Sequence, residues 1–166
     1  MNSKRGFTLI ELLIVISIIA LLSTIILVAG EKAREQGRNA ERTAAVLQYK
    51  SALDLSYDAN NAYLQSESGA WACLGVDPSD YCWSGGAQGS ARLQAAIAPF
   101  IQGTQTVPDT NITYTGILYR QCSAVSYDMR WFLEGTNQSC SGGSVLDGDY
   151  GGSGTTYCRY LQGNDC

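Results

Sequence analysis

One carboxylate, Glu11, lies a helical turn into an apolar run that extends from Phe7 to Ala29 and carries no other charge. An ionisable group at that depth is costly in lipid and marks a functional position whose partner must be found. The spacing offers an amine. A cut between Gly6 and Phe7 would create an amino group four residues before Glu11, about 6 Å of helix rise away. It would also remove Lys4 and Arg5, the charges that oppose full insertion. Amine and carboxylate so placed can pair head to side between neighbouring copies, each cancelling the other's desolvation cost. The expected product is a polymer of parallel helices.

The remaining reactive side chains point away from catalysis. The chain has six cysteines and no histidine, a balance that reads as disulfides made in an oxidising compartment rather than as zinc ligands or reactive thiols. Cys73 and Cys82 enclose a turn-rich stretch and offer the cheapest local closure. Fifteen connectivities are open to six cysteines, and the expected set is sequential: Cys73–Cys82, Cys122–Cys140 and Cys158–Cys166. No phosphate-binding glycine loop and no nucleophile–base pair is present, so the chain is not read as an enzyme and no cofactor is expected. Asp147 and Asp149 stand among glycines and could supply oxygen ligands to calcium, but the ligand order of a calcium loop is absent and a solvated turn is the simpler reading. No metal site is assigned.

These groups need elements to position them. The 23 residues from Phe7 to Ala29 rise about 34 Å as a helix, enough to cross a hydrocarbon core of roughly 30 Å. Lys4 and Arg5 keep the amino terminus on the cytoplasmic side and send the chain beyond Gly30 outward. Residues 31–65 are rich in helix formers, and Val46, Tyr49, Leu53, Ser56 or Tyr57, Asn60 and Tyr63 recur at three-to-four spacing. The helix should therefore continue to Gln65 with one packed face. After that the composition shifts to Ser, Gly, Asp, Trp and Cys. Ser66 to Gly89 reads as a cysteine-pinned loop, and Ser90 should cap a short helix ending near Ala98. Strands are expected over Ile112–Arg120, Ser126–Glu134 and Thr156–Leu161. The fold class is α+β: a long N-terminal helix, transmembrane then amphipathic, covered by a small antiparallel sheet. The organisation is a leader over 1–6, a membrane and assembly helix over 7–30, its amphipathic continuation over 31–65, and a disulfide-stabilised head over 66–166. From Ser51 onward four arginines face eleven acidic residues, a count of −7. That balance repels phosphate backbones and argues against nucleic-acid binding.

Lys4-Arg5-Gly6-Phe7-Thr8-Leu9-Ile10-Glu11-Leu12-Leu13 resembles the class III signal of type IV pilins and of the pseudopilins of type II secretion systems. The resemblance implies cleavage after Gly6 by a prepilin peptidase and N-methylation of Phe7. It also implies that Glu11 neutralises the terminal amine of an adjacent subunit in a homopolymer built by helix packing. Ala52-Leu53, Tyr57 and Asn60-Asn61-Ala62-Tyr63 resemble the pattern that closes the long helix in these proteins, with Asn61 and Leu64 in place of the usual glycine and proline. Ala20 and Val28 stand where many pilins carry a glycine and a proline that let the helix melt in the filament. The implied partners are the peptidase, an inner-membrane assembly machine, the membrane before assembly, and further copies of the chain. The implied location is the inner membrane as a single N-in span, then an extracellular or periplasmic filament. A pilus subunit, a pseudopilin and a minor tip pilin acting as a binding module are the three functions so implied.

Overall fold

The computed structural model describes residues 6–66, 69–82, 86–101, 115–145, 154–164 and 166. Two compact units divide the chain, Met1–Gln36 and Gly37–Cys166. Helix α1, Leu9–Asn60, runs through both, and it stays helical at Ala20, Val28, Gly30 and Gly37. It stops at Asn60, short of Gln65. Asn61 takes a positive φ of 57° and its N–H donates to the Tyr57 carbonyl at 2.7 Å. A single bond of that kind from a left-handed residue is the usual end of a helix, and asparagine is the side chain after glycine that tolerates the geometry.

In the second unit the strands are β1 (Ala72–Leu74), β2 (Tyr81–Cys82), β3 (Ala87–Gly89), β4 (Ile117–Ser123), β5 (Ser126–Glu134), β6 (Ser144–Val145) and β7 (Thr155–Gln162). Among the described residues they form one sheet in the order β2-β3-β1-β4-β5-β7-β6. All neighbours are antiparallel except β1 and β3, which run parallel. The arrangement is α+β and pilin-like. Strand β5 coincides with the expected span and β7 extends it by a residue at each end. The strand expected from Ile112 begins at Ile117 among the described residues; Ile112, Thr113 and Tyr114 lie outside them. The cysteine-pinned stretch read as loop contains β1, β2 and β3. Helix α2, Ala91–Ile97, is capped by Ser90, whose hydroxyl accepts from the Leu93 N–H at 3.1 Å, and it runs into a 3-10 turn over Ala98–Phe100.

The core forms where the second half of α1 meets one face of the sheet. Asn39, Arg42, Ala45, Val46, Tyr49, Ala52, Leu53 and Ser56 are buried, a three-to-four spacing that keeps one helix face inward. Ala45, Val46, Tyr49, Ala52 and Leu53 join Leu74, Leu93, Ile97, Ile117, Tyr119, Tyr127, Met129, Trp131 and Leu133 in one cluster. The amphipathic half of the helix thus supplies one side of the core of the second unit.

Polar side chains fix the helix at the end of β5. Strand β4 begins at Ile117, and its Leu118 pairs with Arg130, so the β4-side backbone groups of Phe132 to Glu134 lack a β4 neighbour. Asn39 takes that place: its Nδ2 donates to the Glu134 carbonyl and its Oδ1 accepts the Glu134 N–H, both at 2.8 Å. Arg42, 1% exposed, donates from Nη1 to the Phe132 carbonyl at 2.8 Å. Arg38 Nε donates to the Glu134 carboxylate at 2.7 Å. Buried backbone groups must find partners, and here side chains of α1 provide them.

The disulfides are Cys73–Cys82, Cys122–Cys166 and Cys140–Cys158. This corrects the sequential set, which pairs Cys122 with Cys140 and Cys158 with Cys166. The sheet order is the reason. Cys122 lies on β4 and Cys158 on β7, and β5 separates those strands; two strand spacings come to about 9–10 Å, beyond a disulfide's reach. Cys140 precedes β6 and so lies on the β7 side, with its Cα 5.6 Å from that of Cys158. At the other end Gln162 of β7 faces Tyr127 of β5, and Tyr127 faces Gln121 of β4. The tail beyond Gln162 reaches Cys122, which occupies an irregularity in the β4–β5 ladder, with a Cα separation of 5.3 Å.

Candidate processing and assembly site

The start of α1 explains how a carboxylate is held beside apolar residues. Thr8 precedes the first helical residue. Its Oγ1 accepts the Glu11 N–H at 3.3 Å, and Glu11 Oε2 accepts both the Thr8 N–H at 2.9 Å and the Thr8 hydroxyl at 2.8 Å. This is a reciprocal capping box, a threonine followed three residues later by a glutamate, which satisfies amide donors that the first turn leaves unpaired. The Thr8-x-x-Glu11 spacing is the sequence signal for it, and a search for a cationic partner alone misses it. Among the described residues nothing donates to Glu11 Oε1. One oxygen caps the helix, and the other is left for a further donor.

The rest of the segment presents no comparable chemistry. Ser17 and Ser23 hydroxyls donate to the Leu13 and Ile19 carbonyls at 2.8 Å, and Thr24 donates to the Leu21 carbonyl at 2.7 Å. Each hydroxyl is satisfied by its own helix, the arrangement a lipid environment requires. The apolar side chains between Phe7 and Val28 are exposed in the single chain, from Leu9 at 84% to Val15 at 45%. Among the described residues α1 is the one helix long and apolar enough to cross a membrane. Gly6 has open space around it and nothing within 4 Å of an added Cβ. Lys4 and Arg5 lie outside the described residues.

Residues 1–27 match the family model of the prokaryotic N-terminal methylation motif. This is the class III signal of type IV pilins. Among curated proteins and among solved structures, nothing matches the chain. The match takes in Gly6, Glu11 and most of the apolar segment. The motif supports a precursor of pilin-like or pseudopilin type, and the apolar helix fits anchoring in a membrane.

Residues that bring chemistry to the head fall elsewhere. Asp147 and Asp149 lie outside the described residues, and among the described residues no cluster of His, Cys, Asp or Glu could hold a metal ion. All six cysteines are paired. Asp128, fully buried, accepts from Arg130 and from Arg159 at 2.7 Å each. Sequence reasoning misses this cluster; charges alternating with Tyr127, Met129 and Trp131 along β5 are the available signal.

Proposed function

We propose that this chain is a structural subunit of a type IV pilus-like filament, stored in the cytoplasmic membrane as a single N-in span and polymerised through α1. A prepilin peptidase cuts after Gly6 and leaves Phe7 as an N-methylated first residue. The leader is 1–6, the membrane and assembly helix 7–30, its amphipathic continuation 31–65, and the head 66–166 lies outside the cytoplasm. An inner-membrane machine draws processed subunits into the fibre, where Glu11 of one copy meets the Phe7 amine of another.

The match of the methylation motif to residues 1–27 carries this reading. The geometry around Glu11 supports it: one carboxylate oxygen is engaged by Thr8, and the other accepts nothing among the described residues. So does the bare apolar surface of the segment, which lipid or neighbouring helices must cover. Mass spectrometry of the protein recovered from sheared surface fibres tests it. The expected first residue is Phe7, heavier by one methyl group; a mature start at Met1 or near Glu31 would overturn the processing step. Abundance in the same preparation separates the roles, since a bulk subunit dominates the fibres and a tip binder is rare.

A further inference from the structure

Alternation along the strands sends Leu118, Arg120, Asp128, Arg130 and Arg159 to the sheet face turned away from α1. Three of the four arginines beyond Ser51 are thus gathered on one face. Two of them, Arg130 and Arg159, share the Asp128 carboxylate, and its acceptor capacity is spent. Arg130 Nε lies 3.2 Å from Asp128 Oδ1 and 3.1 Å from Oδ2, with its Nη2 2.7 Å from Oδ2. Arg159 Nε lies 3.1 Å from Oδ1, with its Nη2 2.7 Å from Oδ2. Arg120 faces Asp128 across the β4–β5 ladder, yet no carboxylate among the described residues reaches it. Its Nε is buried without an acceptor. What holds the side chain is Trp71, on whose ring the guanidinium carbons of Arg120 and Arg130 rest at 4.6 and 4.4 Å from the centroid. Arg120 and Trp71 both keep part of their surface in solvent.

A guanidinium stacked on an indole has already given up much of its rotamer freedom, so it pairs with an incoming carboxylate at little further entropy cost. The face carries a surplus of two positive charges on a head whose count is −7. Each copy therefore holds both halves of a complementary contact: a cationic face, and exposed acids elsewhere, Asp58 and Asp80 among them. Copies aligned in parallel by α1 meet through different faces, and a heterologous contact of that kind propagates as an open fibre instead of closing on itself. We propose that Arg120, set on Trp71, is the docking site for a surface carboxylate of a second copy of this chain. The proposal rests on the filament reading and names a head contact within it.

Arginine footprinting with phenylglyoxal, read by mass spectrometry, tests this on wild-type subunits in detergent and on sheared fibres. Arg120 should be modified in detergent and protected by about tenfold or more in fibres, the scale of a close interfacial charge pair. Arg120→Gln subunits in detergent should melt within a few degrees of wild-type protein, since the stack on Trp71 is lost but no intrachain ion pair is, and should be recovered in fibres about tenfold less. Equal modification in both preparations, or wild-type fibre yield from Arg120→Gln, overturns the proposal. Protection of the detergent-solubilised subunit by added citrate, with none in fibres, also overturns it and makes the site one for a small carboxylate. Absence of the wild-type chain from any fibre is a different result: it defeats the filament reading itself.

Discussion

Removing the Asn39 amide would strip Glu134 of partners for both its N–H and its carbonyl at a place where no β4 residue can replace them. Each buried group left unsatisfied costs roughly 1–3 kcal/mol, so Asn39→Ala should lower head stability by about 2–4 kcal/mol. Thermal denaturation followed by far-ultraviolet circular dichroism would show it, and a melting temperature unchanged from wild type would mean that water serves Glu134 equally well. Asn61 makes a contrasting case. Its φ of 57° suits glycine better than any side chain, so Asn61→Gly should be close to neutral, whereas Asn61→Val forces a β-branched residue into left-handed geometry and should cost about 1–2 kcal/mol. The same melts would check both. Neither Asn39 nor Arg42 stands out in the sequence, because a polar residue on the packed face of a helix breaks the apolar period that reveals the face. Asn61 is legible, since the end of the helix is a local property.

At the scale of elements, the three disulfides close loops of different length and should differ in what they contribute. Chain entropy assigns about 4 kcal/mol to Cys122–Cys166, with its separation of 44 residues, and about 3 kcal/mol to each of the two shorter closures. Cys122→Ser with Cys166→Ser should therefore destabilise most, as melts of the three double variants would report. Non-reducing peptide mapping should recover the same three pairs; a Cys122–Cys140 peptide would contradict the strand order. A second element-scale property is the tyrosine group between α1 and the sheet. Tyr63 and Tyr127 rings stand 4.6 Å apart and Tyr119 and Tyr127 5.6 Å. Burial pushes the hydroxyls of Tyr63, Tyr119 and Tyr127 well above the ordinary range, and Asp54 adds to the shift at Tyr63 and Tyr127. The folded state then keeps protons that the unfolded chain releases above about pH 10. Their contribution is complete below that pH and is lost as pH rises through the raised values. Melting temperature should fall progressively as pH rises above about 10, with tyrosinate absorbance from this group appearing together with unfolding. Tyrosinate forming fully before unfolding would show the group to be open to water. Strand β5 and the helix are readable because each repeats its period over two turns or more. Strands β1, β2, β3 and β6 are two or three residues long, too short for alternation to register. The disulfide set depends on the order of strands in the sheet, which no local pattern encodes.

For the whole molecule the open matter is what Glu11 contributes, since the capping box gives it a structural use that needs no second copy. Two substitutions separate that use from charge pairing. Glutamine at the third helical position completes a capping box as glutamate does, so Glu11→Gln keeps the helix start while removing the charge. Glu11→Val removes both. If capping were the whole of its role, Glu11→Gln would assemble and Glu11→Val would not. If the carboxylate neutralises the Phe7 amine of a neighbour, both variants should be inserted and cleaved after Gly6, and both should stay in the membrane with fibres reduced at least about a hundredfold, because an uncompensated amine buried among apolar helices costs several kcal/mol. Quantifying the mature chain in membrane and sheared fractions, with each variant as the only source of subunit, decides between them. Fibres at wild-type yield from Glu11→Gln would confine Glu11 to the capping of its own helix and leave the apolar surface of α1 as the force that joins the copies.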